Sequence, residues 1–213
     1  MNKTCTRQQF VKDVAKHQMF VKLDQGVYRH IVFQQPERSY VHRFEIVTTP
    51  WRLMITGDMG TWVFARLEDM FEFFRTDKGS VNLSYWAEKL LNGAHGTSSA
   101  GKVYDGDTYR TRLIDSLDGY SLTKAKRAAI IREMKRLDFN DEHWILHQIN
   151  EFEHDGFTFE DVWEIDMTVY SYHFTWCCYA IAWAIQKWDA ANFPTHVLPL
   201  PARPEPSAAR GEE

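Results

Sequence analysis

Hydrophobic and polar positions alternate in different periods along this chain. From Thr6 to His17 the apolar positions are Phe10, Val11, Val14 and Ala15, the spacing of a short amphipathic helix. The period then shortens to two. Val27 to Gln34 is rich in β-branched and aromatic residues and stops before Pro36. Tyr40 to Thr48 alternates Val41, Arg43, Glu45 and Val47 against His42, Phe44 and Ile46, and Pro50 closes it. Trp51 to Thr56 sets Trp51, Leu53 and Ile55 against Arg52, Met54 and Thr56. Thr61 to Arg66 follows after Gly57-Asp58-Met59-Gly60, a hairpin-turn composition. Connections this short favour antiparallel neighbours, so the pattern predicts a four-stranded antiparallel meander.

At Leu67 the period returns to that of a helix. Leu67, Met70, Phe71 and Phe74 form an i, i+3, i+4, i+7 stripe that fades near Asp77-Lys78-Gly79. Ser80 or Asn82 can cap a second helix over Leu83 to Leu91. Residues 93–108 are small and polar and read as a loop. Ser121 is placed to cap a helix reaching Leu137, and Asn140 to cap another over Asp141 to Glu153. Thr158 and Asp161 resemble a weak capping box before a short helix at Glu160–Glu164. Tyr170 to Ala191 is apolar on nearly every side, the mark of a buried helix around which the rest of the C-terminal half is expected to pack.

The expected class is therefore α+β: a four-stranded antiparallel meander followed by a mostly helical C-terminal half. Residues 1–193 read as a single α+β domain, with a sheet part at about 25–95 and a helical part at about 108–193. Residues 194–213 read as a disordered Pro-rich tail. The expected core comprises Phe44, Ile46, Leu53, Ile55, Val63, Phe71, Phe74, Trp86, Leu90, Ile130, Ile149, Phe174, Ala180 and Ile181.

Composition narrows the class. The 213 residues are 44% hydrophobic and 15% aromatic, enough apolar surface to offset the ordering entropy of a folded chain. Met1-Asn2-Lys3-Thr4-Cys5 is followed by no apolar run, so no secretory leader is expected. The longest apolar stretch, Phe174 to Ile185, is too short to span a bilayer. No membrane partner and a cytoplasmic location are the expectation. Three cysteines without CxxC spacing fit reduced thiols.

Charge distribution says more than its net value of −4. Residues 1–136 carry +7. Residues 137–186 hold ten acids and no lysine or arginine.

Three strings bear on origin: Ile55-Thr56-Gly57-Asp58-Met59-Gly60-Thr61-Trp62-Val63-Phe64-Ala65-Arg66, Asp69-Met70-Phe71-Glu72-Phe73-Phe74-Arg75, and the run Tyr170 to Trp183 containing Trp176-Cys177-Cys178-Tyr179-Ala180. Together they resemble a family of uncharacterised proteins carried by bacteriophages and prophages. The likeness covers about residues 25–190. The resemblance implies a setting, a phage accessory product in a bacterial cytoplasm, and no catalytic residue.

Several constellations could carry chemistry. His143 and His147 are four apart on one predicted helix, with His154 beyond its end. Two imidazoles at that spacing plus a third ligand can hold zinc. Trp144 stands where a zinc peptidase places its glutamate, which removes that mechanism. The plainer reading is an exposed His143 and a hydrogen-bonded His147. His173 and Cys177 share the same spacing, but their helix is apolar and favours packing. Asp105, Asp107, Asp115 and Asp118 could hold magnesium or calcium, or could be a solvated turn. These candidates leave room for a divalent metal, though no cofactor is predicted. No phosphate loop or nucleophile elbow is present in the sequence.

Lys124, Lys126, Arg127, Arg132, Lys135 and Arg136 against Glu133 give +5 over sixteen residues, a helix that could lie along nucleic acid. The simplest alternative pairs it with the acidic segment after it. That segment mixes Glu151, Glu153, Glu160, Asp161 and Glu164 with Trp144, Phe152, Phe157, Phe159 and Trp163. Such a surface could dock on a basic host or phage protein. The plainer reading is a solvated face over an aromatic core. Three functions follow: a non-enzymatic phage accessory protein that binds a macromolecule through a charged surface, as in counter-defence; a metal-dependent hydrolase or nuclease; and a nucleic-acid binder.

Overall fold

The computed structural model describes residues 4–76, 79–91 and 101–192. The predicted tail at 194–213 and part of the predicted loop, 93–100, lie outside them.

An antiparallel sheet of five strands occupies the first third: β1 (Gln18–Gln25), β2 (Tyr28–Gln34), β3 (Phe44–Thr49), β4 (Arg52–Gly57) and β5 (Gly60–Ala65), in spatial order β1-β2-β3-β4-β5. The meander topology matches expectation, but there are five strands, not four. The strand missed by pattern is β1. It lies at the sheet edge with its side chains largely exposed, and a bulge between Val21 and Leu23 breaks its alternation. An edge strand needs no buried face, so it leaves no clean period of two.

The inner face of the sheet carries Ile31, Phe33, Phe44, Ile46, Leu53, Ile55 and Phe64, all buried. Val63 was expected there. It is half-buried, and Phe64 takes the inner position, because Leu53 pairs with Phe64 and Met54 with Val63. The β4–β5 turn is two residues long and begins at Gly57, which has φ +153. A Cβ at Gly57 would stand 2.1 Å from the Arg43 carbonyl oxygen.

Helices α1 (Arg7–Asp13), α2 (Met70–Phe74), α3 (Leu83–Ala87) and α7 (Tyr172–Asn192) share one core with that face. Thr6, Asp69 and Asn82 cap α1, α2 and α3 with their side chains. Eleven of the 21 residues of α7 are buried, which explains its apolar character on every side. Its position differs from expectation. It packs on the sheet with α1, α2 and α3, and does not form the centre of the other C-terminal helices.

Those helices make a second apolar cluster. It contains α4 (Gly106–Ser116), α5 (Lys124–Met134) and α6 (Glu142–Asn150), with Tyr109, Leu113, Ile130, Met134, Ile145, Ile149, Phe152, Phe157 and Val162 inside. The expected loop over 93–108 is ordered in its second half: β6 (Lys102–Tyr104) pairs antiparallel with β7 (Thr168–Tyr170), and α4 follows at once. Asp105 caps α4 through the Thr108 N–H at 2.7 Å. Gly106 lets the Phe139 carbonyl approach where a Cβ would meet it at 1.9 Å. Small polar residues here serve a cap and a close approach, which composition alone cannot distinguish from a loop. The caps of α5 and α6 are Thr123 and Asp141, displaced by two residues and one from the expected Ser121 and Asn140. The turn at Glu160–Glu164 shortens to a single 3₁₀ turn, Val162–Glu164, with no side-chain cap.

Candidate functional site: an acidic aromatic face and its groove

Helix α6 buries Ile145 and Ile149 and turns His143, Trp144 and His147 outward. That division follows from the 3.6-residue period: the apolar pair faces α4 and α5, and the residues between face solvent. Beyond α6 the chain returns on itself, with the His154 and Phe157 backbones bonding to each other. Phe152 and Phe157 turn inward and pack edge to face with their rings 6.4 Å apart. Glu151, Glu153, Glu160, Asp161 and Glu164 are all exposed. Trp163 is 72% exposed and Trp144 50%.

The basic residues of α5 do not neutralise this face. Arg127 pairs with Asp118 at 2.9 Å and bonds the Ile114 carbonyl. Arg136 pairs with Glu133. Lys126 donates to the Asp155 backbone carbonyl at 2.9 Å. Lys124, Arg132 and Lys135 are exposed. Among the described residues no ion pair joins a side chain of α5 to a carboxylate of 137–186. The simple pairing of basic helix with acidic segment is therefore not what the fold does. One acid of that segment is well held: Asp166 pairs with Lys102 at 2.9 Å. Burial alone would raise the Asp166 carboxyl, but bonds from Thr168 and Lys102 override it and bring it down to about 2.

Between the end of α5 and the far side of α6 lies an open groove of about 420 Å³. Leu137, Trp144 and Phe152 give it apolar surface, and Glu133, Glu151 and Glu153 bring three carboxylates. Arg136, His147, Gln148 and His154 complete the lining. The His147 ring lies 5.4 Å from that of Trp144.

The metal candidates fare differently. His147 and His154 both line the groove, while His143 does not. Among the described residues no group of three or more His, Cys, Asp or Glu side chains is arranged to hold a metal ion. The aspartates of the predicted cation cluster are dispersed: Asp105 caps α4, Asp107 pairs with Arg110, Asp118 pairs with Arg127, and Asp115 points to solvent. His173 is exposed, while Cys177 is buried with its thiol against the Met59 carbonyl at 3.6 Å. Burial pushes the Cys177 and Cys178 thiols far up, so neither is a thiolate nucleophile.

Two polar centres were not foreseen. The Arg29 guanidinium is buried between the rings of Phe71, at 4.5 Å, and Trp188, at 4.9 Å. It forms a two-bond pair with Asp69 at 2.9 and 2.8 Å. Arg75 holds Asp189 in the same manner beside it, and the four border a cavity of about 430 Å³. At the other end of the sheet, buried Asp13 accepts from Trp176 at 3.0 Å and from Gln9 at 2.7 Å, with His42 at 3.8 Å. The Arg29–Asp69 pair joins residues 40 positions apart, and the Trp176–Asp13 bond residues 163 apart. The one sequence hint is Arg29 at an otherwise apolar phase of β2.

Comparison of the chain with protein-family models, with curated proteins and with solved structures gives no match. The three strings that carry the phage resemblance fall on β4–β5, on α2 with its cap, and on the first half of α7. All three belong to the sheet-side core and none to the acidic face. No helix among the described residues is long and apolar enough to cross a membrane.

Proposed function

We propose that this chain is a non-enzymatic accessory protein of a bacteriophage or prophage. It acts in the bacterial cytoplasm by docking its acidic aromatic face on a basic macromolecule, a host or phage protein, as a counter-defence factor would. The observation that carries this reading is that Glu151, Glu153, Glu160, Asp161 and Glu164 are exposed and unpaired by α5, as are the indoles of Trp144 and Trp163 in the same stretch of chain. A fold that used this charge internally would have paired it. Left free, it speeds encounter with positive surfaces, and indole rings supply the apolar contact that charge lacks.

The test is affinity purification of the tagged chain from its bacterial host at low and moderate salt, read by mass spectrometry. The expected result is one stoichiometric partner, lost when Glu151, Glu153, Glu160 and Asp161 are each changed to Lys. Recovery of the chain alone at both salts would count against the reading.

A second reading is favoured by the exposure of Lys124 and Arg132 on α5 and of Lys135 at its C-terminal cap, which suits a phosphate backbone. It requires binding to DNA or RNA that weakens steeply with salt. Reversing those three charges without effect on binding would reject it.

A further inference from the structure

Two cavities among the described residues differ in what they leave unsatisfied. The cavity at Arg29, Asp69, Arg75 and Asp189 holds two ion pairs of its own, so its charges answer one another. The groove beside α6 does not balance in this way. Of its three carboxylates, only Glu133 has a cationic partner, Arg136. Glu151 and Glu153 enter no ion pair among the described residues, and both are exposed. The same groove presents the Trp144 indole, half-exposed, and the apolar side chains of Leu137 and Phe152. Its volume of about 420 Å³ suits a small organic group.

A group that answers these features must be cationic, must tolerate an aromatic wall and must reach two carboxylates. A guanidinium does all three. It is planar, stacks on indole, and offers donors in a fork that matches a carboxylate. An ammonium is a hydrated point charge and gains less from the ring. The groove wall already shows the chemistry, because Arg136 places a guanidinium on Glu133 at 2.5 Å.

We infer that the groove lined by Trp144, Glu151 and Glu153 is the pocket for an arginine side chain presented by the basic partner. The inference rests on the acidic docking reading above. It adds which residue of the partner is read and where.

The probe is an arginine-only peptide of about nine residues, compared with a lysine-only peptide of equal length. Each is titrated calorimetrically into the whole chain at low salt. Groove variants are Trp144→Ala and the double change Glu151→Gln, Glu153→Gln. A control variant carries Glu160→Gln, Asp161→Asn and Glu164→Gln, residues that do not line the groove. All sites are exposed, and circular dichroism checks that each variant folds. The arginine peptide is expected to bind more tightly than the lysine peptide. Each groove variant is expected to weaken it about fivefold or more, roughly the range of a cation–aromatic contact or a charge-assisted pair. The control is expected to weaken it less than about twofold, as exposed charges do. Equal losses in groove and control variants, or equal binding of the two peptides, overturn the arginine pocket and leave the docking face standing. Failure of both peptides to bind the unaltered chain overturns the docking reading, and the pocket with it.

Discussion

A buried charge is stable only with its partner, and Arg29 shows why. Its side chain is 7% exposed, and Asp69 supplies both the counter-charge and the cap of α2. Changing Asp69 to Ala would remove the two-bond partner of the guanidinium under Phe71 and Trp188 and leave it only the longer contact with Asp24 at 4.0 Å. We expect a loss of about 3 kcal/mol or more by urea unfolding. Arg75→Gln, which breaks the more exposed pair with Asp189, should cost under about 1 kcal/mol. The same residues predict the response to acid. Burial would raise Asp69 and Glu45, but bonds from Arg29 and the Phe71 N–H to the first, and from His30 and Arg43 to the second, hold both below the usual carboxylate range. Their stabilisation is present above the unfolded values near 4 and is lost as pH falls through the lower folded values. His17 acts earlier. Burial lowers it, outweighing its bond to the His42 carbonyl, and its Nδ1 has no partner. The unfolded chain therefore binds the proton first, and stability declines as pH drops below about 6.5. Thermal melts should show this decline from pH 7 to 5, and His17→Gln should flatten it without altering the second loss below pH 4.

At the level of elements, the turn into β5 tolerates little change. Gly57 combines a positive φ with the Arg43 carbonyl at a distance no Cβ permits. Gly57→Ala should destabilise by more than the ~1 kcal/mol of an ordinary glycine replacement, because backbone must move on both β3 and β4. Gly26→Ala is the comparison. It shares a positive φ but has no atom within 4 Å of the added carbon, so it should cost less. Urea midpoints of the two variants decide the matter. At the two sheet edges the elements also differ. The β5 edge is bonded by residues 89–91, through Ala65 N–H to Lys89 and Leu91 N–H to Val63. The β1 edge carries instead a bulge and Lys22, devices that discourage strand addition.

Across the whole molecule the apolar side chains divide into two clusters, one under the sheet with α7 and one among α4, α5 and α6. Among the described residues, the β6–β7 ribbon and the Arg112 bonds to the Asp166 and Thr168 carbonyls lie between them. Leu113→Ala in the second cluster should cost about 2–5 kcal/mol locally. By native-state hydrogen exchange, α5 and α6 should lose protection while β2, β3 and β4 keep theirs. Loss of protection in both regions together would mean that the clusters unfold as one. The proposed docking face belongs to the second cluster, so such a variant should lose partner binding with the sheet intact.

Periodicity was sufficient for elements with a buried face. Strands β2 to β5 and helix α7 were legible because a half-buried or wholly buried element must repeat its apolar residues at its own period. Thirteen of the fourteen residues expected in the core are buried, and the exception, Val63, missed by one step of alternation. The ten-acid run was legible too, since charge is counted directly from the chain. Long-range contact decided the rest. Strand β1 forms because β2 offers a free edge, and its own residues bury little. Helix α7 sits on the sheet although its pattern would suit either cluster. Whether the acids were paired or free depended on which face α5 turned toward them, and no residue spacing encodes that. The Arg29–Asp69 pair and the Trp176–Asp13 bond join distant positions, and apart from Arg29 at its apolar phase each charged residue alone resembles an ordinary surface charge. Local pattern is set by neighbours in sequence; burial, pairing and the groove are set by neighbours in space.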